Sequence, residues 1–182
     1  MRAVDEDAGV QGVLPHNRCP GWMVPHVFER VRTLPVDRGA LWRWLNTPET
    51  FTRQVWPYRV EFLEGSGVGG ASGFGVGVLN THHGPLLNCA GVMTRVDAWD
   101  DGSGELVRDL RYCYGAFIVS PRLIRPTLLR FAVRDDGGGA SLTLRVECWV
   151  RPWCAGVWTR LQSVFWSGFF AGARRGAARA EA

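Results

Sequence analysis

The chain has 182 residues and a mass of 20.2 kDa, enough for one domain to bury a sizeable core without disulfide support. Hydrophobic residues make up 46% of it and charged residues 21%, the balance of a globular protein, which excludes wholesale disorder and a polytopic membrane protein. The 21 basic residues exceed the 17 acidic ones for a net charge of +4, and every basic residue is arginine. Without lysine there is neither a Walker-type phosphate loop nor a side-chain amine for Schiff-base chemistry. The arginines run from Arg2 to Arg179 among apolar and acidic neighbours, unlike the basic stripe of a nucleic-acid binder. Five cysteines, at 19, 89, 113, 148 and 154, form an odd set with irregular gaps and no CxxC pair, which argues against a secreted disulfide framework. Together with an acidic opening segment that lacks an apolar core, this predicts a reduced, cytoplasmic protein.

In chain order, residues 1–25 hold scattered Gly and Pro with little periodicity, which predicts a poorly structured arm ahead of a single domain over 26–182. The Val- and Phe-rich run from His26 to Leu34 ends at Pro35 and predicts a strand. Asp37 is a suitable N-cap for a helix to Leu45, and Thr47-Pro48-Glu49 starts a second short helix with proline at its first position. From Tyr58 the period falls to two, and a Gly-rich stretch from Gly65 to Gly77 follows. Extended segments are predicted at 76–83, 89–99 and 106–114, with a turn at 100–104. The two clearest strands carry Leu129, Phe131 and Val133, then Leu142 to Val150 in alternation, joined by a hairpin at Asp135-Asp136-Gly137-Gly138-Gly139. After Pro152 the period becomes helical, with Val157, Leu161, Val164, Phe165, Gly168 and Gly172 on one face and Trp158, Trp166, Phe169 and Phe170 widening the apolar surface. A membrane span is disfavoured by Arg160 in the only window of adequate length, where a central arginine costs ~2.5–3.5 kcal/mol.

Few motifs carry chemistry. Gly65 to Gly70 matches GxGxxG by letter, but neither a helix nor an acidic residue about twenty positions on follows, so it reads as a flexible loop and no nucleotide cofactor is expected. His82 and His83 are adjacent on a strand and point to opposite faces, which prevents both from chelating one metal, and no metal site is predicted. One of the two can serve as hydrogen-bond donor or general base in an interior space. Arg108, Tyr112 and Tyr114 share one strand face, and Asp109 and Arg111 the other. An interior lined by Tyr112, Tyr114 and an arginine suits an amphipathic ligand with a polar end.

The segment Leu34-Pro35-Val36-Asp37 with Leu41-Trp42-Arg43-Trp44-Leu45-Asn46-Thr47-Pro48-Glu49, placed ahead of a run of strands and a long apolar C-terminal helix, resembles the opening of the SRPBCC superfamily, which includes START domains, birch-pollen-allergen-like proteins and aromatic polyketide cyclases. The resemblance implies an α+β helix-grip fold: a curved antiparallel sheet of about seven strands around the C-terminal helix, with two short helices after the first strand. It also implies a cavity between sheet and helix for a small hydrophobic molecule. The candidate ligand-binding residues are His83, Asn88, Arg108, Tyr112, Tyr114, Phe131, Phe165, Trp166 and Phe169. In a cyclase or dehydrase-type enzyme using the same cavity, His83 or Tyr112 is the candidate acid or base. A further reading turns the C-terminal helix outward as a peripheral membrane or partner contact, with Trp158 and Trp166 at the interface and Arg174 and Arg175 near lipid phosphates.

Overall fold

The computed structural model describes residues 18–53, 59–63, 65, 67–70, 72–84, 87–97, 104–117 and 123–181. Strand β1 (Val24–Leu34) precedes two short helices, α1 (Arg38–Leu45) and α2 (Pro48–Arg53). Six strands follow: β2 (Arg59–Phe62), β3 (Leu79–Gly84), β4 (Leu87–Val96), β5 (Glu105–Phe117), β6 (Ile124–Asp135) and β7 (Ala140–Val150). A single 3-10 turn at Pro152–Cys154 leads into helix α3 (Ala155–Glu181). The strands form one sheet in the order β1-β7-β6-β5-β4-β3-β2, antiparallel throughout. β1 starts two residues ahead of the predicted strand. The predicted turn at 100–104 lies outside the described residues except for Gly104, as does the Tyr58 start of β2.

Local chemistry accounts for the joints. The Asp37 carboxylate accepts a hydrogen bond from the Ala40 amide at 2.8 Å, the N-cap that the sequence predicts for α1. The β6–β7 hairpin closes through the Asp136 amide on the Gly139 carbonyl, and Thr33 Oγ1 donates to the Asp136 carboxylate at 2.6 Å. Gly139 is dictated by sterics, because a Cβ there would stand 2.2 Å from the Leu34 carbonyl oxygen. The end of β1 therefore packs backbone to backbone on the hairpin.

Helix α3 lies on the inner face of the sheet, but not by the face that the 157–172 pattern suggests. Val157, Leu161 and Val164 are exposed, whereas Trp158, Gln162, Trp166, Phe169, Phe170, Ala173 and Ala177 are buried. Two apolar stripes compete on this helix, and the aromatic one buries far more surface against the sheet and α1. Phe169 stacks on Phe131 of β6 at 5.3 Å between ring centroids and on Trp44 of α1 at 5.5 Å. The small residues at the far end let α1 come close: a Cβ at position 176 would overlap the Trp44 indole. The β1 edge is tied to the same helix through His26 and Thr159 at 2.9 Å and through Arg30, which donates to the Ser163 carbonyl at 3.0 Å and to the Ser167 hydroxyl at 2.6 Å.

Candidate functional site

Strand β5 presents alternate residues to opposite faces, and its phase sends Arg108, Leu110 and Tyr112 inward. Arg108 is 3% exposed. Its Nη1 donates to the carbonyl of Leu45 and, at 3.3 Å, to Asn46 Oδ1, so it caps the C-terminus of α1, where the helix dipole favours a cation. The guanidinium carbon lies 4.0 Å from the ring centroid of Phe74, 4.8 Å from Phe51 and 5.0 Å from Phe131, a cage of three aromatic faces that attracts a cation electrostatically. Among the described residues no carboxylate pairs with it. Burial lowers its pKa to about 9, which leaves it cationic at neutral pH.

The inward histidine is His82. It is buried beside Arg108 and Tyr112, and burial, reinforced by His83 and Arg108, depresses its pKa to about 4. It is therefore neutral at pH 7. Its Nε2 donates to Asn80 Oδ1 at 2.9 Å, which leaves Nδ1 as the lone-pair nitrogen. The ring meets Tyr112 edge-on at 5.6 Å. The Tyr112 phenol is pushed well above its ordinary pKa by burial and stays protonated. A neutral imidazole and a guanidinium thus line one space, with the Tyr112 ring against the imidazole; Arg108 can donate to a developing or resident negative charge there and His82 Nδ1 can accept a proton.

That space is nearly full. The hollow between Arg108, His82 and Asn80 on its polar side and Phe51, Phe74 and Phe131 on its apolar side measures about 20 Å³, room for about one water. At this point, among the described residues, Phe51, Phe74 and Phe131 close the interior. Phe74, from the Gly-rich loop, is the outermost of them, half-buried and packed edge-on against Phe51 at 5.2 Å and Phe62 at 4.7 Å. A larger hollow of about 560 Å³ is open to solvent at the far end of α3, flanked by Trp44, Arg175 and Arg179.

The structure separates the sequence candidates into groups. Arg108, Phe131, Trp166 and Phe169 meet in the interior, and Tyr112 is buried against His82. Phe165 is half-buried against Trp166, 4.8 Å between centroids. His83 and Asn88 face each other on the exposed outer side, His83 Nδ1 to Asn88 Oδ1 at 3.3 Å, with Thr81 and Glu61 alongside. Tyr114 is a strand residue whose side chain lies outside the description. Asn80, His82, Phe51 and Phe74 were not among the candidates. The phase of β3 hid the first two, because Val78 is in step with His82 and Leu79 with His83, and either set reads as an inner face.

No protein-family model matches the chain, and no curated protein matches it in sequence. Solved structures do. An aromatase/cyclase from a Streptomyces species superposes with a TM-score of 0.58 over 86% of this chain and 95% of its own, at 11% identity. The chain has the helix-grip fold. Ara h 8.0201 shares it, with a TM-score of 0.55, 14% identity and coverage of 86% and 99%. So does norcoclaurine synthase from Thalictrum flavum in complex with dopamine and hydroxybenzaldehyde, with a TM-score of 0.54, 10% identity and coverage of 85% and 87%. At such identities the helix-grip fold is what is shared, and the interior residues are this chain's own.

Proposed function

We propose that the protein binds a small hydrophobic molecule, aromatic or polyketide-like, whose oxygen-bearing end (a carboxylate, a carbonyl or an enolate) is held by Arg108 between the sheet and α3. The observation that carries this reading is a buried guanidinium with no acidic partner among the described residues. A buried cation is costly unless an anion or strong acceptors meet it, and a ligand oxygen at the polar side of the Arg108 hollow supplies one. Structures of the same fold support the ligand class: one is an aromatase/cyclase and another was solved with dopamine and hydroxybenzaldehyde. Entry requires Phe74 to swing out. It is carried on a loop whose positive-φ glycines at 69, 70, 73 and 77 give the backbone conformational freedom.

A cyclase or dehydrase-type reaction in the same space is the second reading, favoured by the meeting of His82 and Arg108 at one hollow. Arg108 would steady an enolate oxygen while His82 Nδ1 accepts a proton. His83, pointing to the outer face, takes no part in this version. The test is a titration with aromatic carboxylates and enolisable aromatic ketones of increasing size, read by calorimetry. The wild type and Phe74→Ala are expected to bind, with Phe74→Ala associating faster, and Arg108→Met to lose roughly ten- to hundredfold in affinity. Equal binding by Arg108→Met, or no binding even by Phe74→Ala, overturns the reading.

A further inference from the structure

The outer face of α3 carries an apolar stripe that the fold leaves bare. Val157 is 60% exposed, Leu161 46% and Val164 76%, and at 100° per residue they fall within one sector of the helix, opposite Gln162, Trp166, Phe169 and Ala173; Trp153, 73% exposed, stands in the 3-10 turn just ahead of it. Arg160 stands inside this sector, exposed. Towards the C-terminus the same sector continues through the exposed Gly168 and Ala171 to Arg175, with Arg174 and Arg179 beside it. The helix contains no acidic residue before Glu181. Arg160 apart, this sector is therefore apolar from Val157 to Ala171 and basic beyond. Trp158 and Trp166, the tryptophans that the sequence turns outward, are buried; Trp153 takes their place.

We infer that this face seats the protein on a bilayer surface bearing anionic headgroups, with Trp153, Val157 and Val164 among the upper acyl carbons and Arg160, Arg174 and Arg175 on the phosphates. Charge selects this occupant. A second copy docked twofold on the apolar half would bring Arg160 towards its own mate with no acid on the face to offset it, whereas an anionic surface supplies the countercharge to every arginine. The open hollow between Arg175 and Arg179 lies at the basic end, where a headgroup phosphate can settle. No helix among the described residues is long and apolar enough to cross a membrane, so the helix lies on the surface and does not span it. This face is opposite the Arg108 space, and the inference stands or falls separately from the ligand reading.

The test is cosedimentation of the full chain with vesicles of equimolar phosphatidylglycerol and phosphatidylcholine, alongside vesicles of phosphatidylcholine alone. Pelleting is expected with the anionic vesicles, weakening with salt. Val164→Glu is expected to lower partitioning at least about tenfold, and each of Arg174→Ala and Arg175→Ala about fivefold, all with wild-type melting temperatures because these side chains are exposed. Three results overturn it: no pelleting, equal pelleting with phosphatidylcholine alone, or a concentration-dependent dimer in ultracentrifugation that Val164→Glu dissolves.

Discussion

Arg108 and Arg130 stand on neighbouring strands, and the residues beside them are paired across the same register, Arg108 with Phe131 and Asp109 with Arg130. Their fates are opposite. Arg130 points to the outer face and grips Asp109 through two hydrogen bonds of 2.7 and 2.6 Å, a bidentate pair that raises the arginine's pKa chiefly through that hydrogen bonding. Arg108 points inward to aromatic rings, a helix-end carbonyl and an amide, and burial lowers its pKa. An arginine kept for stability alone is expected to resemble Arg130. The contrast places a paired arginine on the outer face and sets Arg108 apart as the interior cation on which the proposed ligand reading rests.

The comparison can be broken most forcefully at Phe131, which lies under Arg108 and against Phe169. Phe131→Ala is expected to cost ~3–5 kcal/mol in urea denaturation, since the surrounding rings relax only partly around the void. Next comes acid. The folded pKa of His82 is depressed from 6.5 to about 4, so the native state binds fewer protons than the unfolded chain between these values. Stability is full above pH 6.5 and falls as pH drops towards 4, by ~3 kcal/mol for a shift of this size. His82→Gln is expected to flatten that part of the stability profile, and an unchanged profile would remove His82 from the interior.

The outer pair can be measured directly. A double-mutant cycle of Asp109→Asn with Arg130→Gln is expected to give a coupling of ~1–3 kcal/mol, because a bidentate pair with a buried carboxylate is worth more than an exposed one. The smallest stability change is expected at Arg108→Met, within about 1–2 kcal/mol of the wild type, since lost cap and ring contacts are offset by relief of a buried charge. A collapse of the fold in Arg108→Met would make that arginine as structural as Arg130 and erase the distinction.

Part of the candidate site was legible from strand phase. The alternation of Arg108, Leu110 and Tyr112 against Asp109 and Arg111 defined the two faces of β5, and Phe131 followed from the alternation of β6. What misled was a pattern readable in two ways. In β3, inner and outer sets each contain one aliphatic residue, one polar residue and one histidine, so the pairing of His82 with Val60 of β2 had to settle which turned in. In α3 the stripe of Val157, Leu161 and Val164 is regular, yet the aromatic stripe lies on the sheet because it buries more surface.

The order of elements, the Asp37 cap and the 135–139 hairpin were written in local sequence, because propensity, capping and alternation act over a few residues and each has its own period or spacing, whereas the helix-grip architecture was implied by the resemblance. Only the tertiary structure decided which histidine is buried, which face of α3 remains bare, how Phe51, Phe74 and Phe131 pack around Arg108, and that Arg108 meets no acid among the described residues. Those outcomes depend on groups brought together from β3, β5, β6, α1 and the Gly-rich loop. Burial and charge pairing are properties of that assembly, which no single stretch of chain contains.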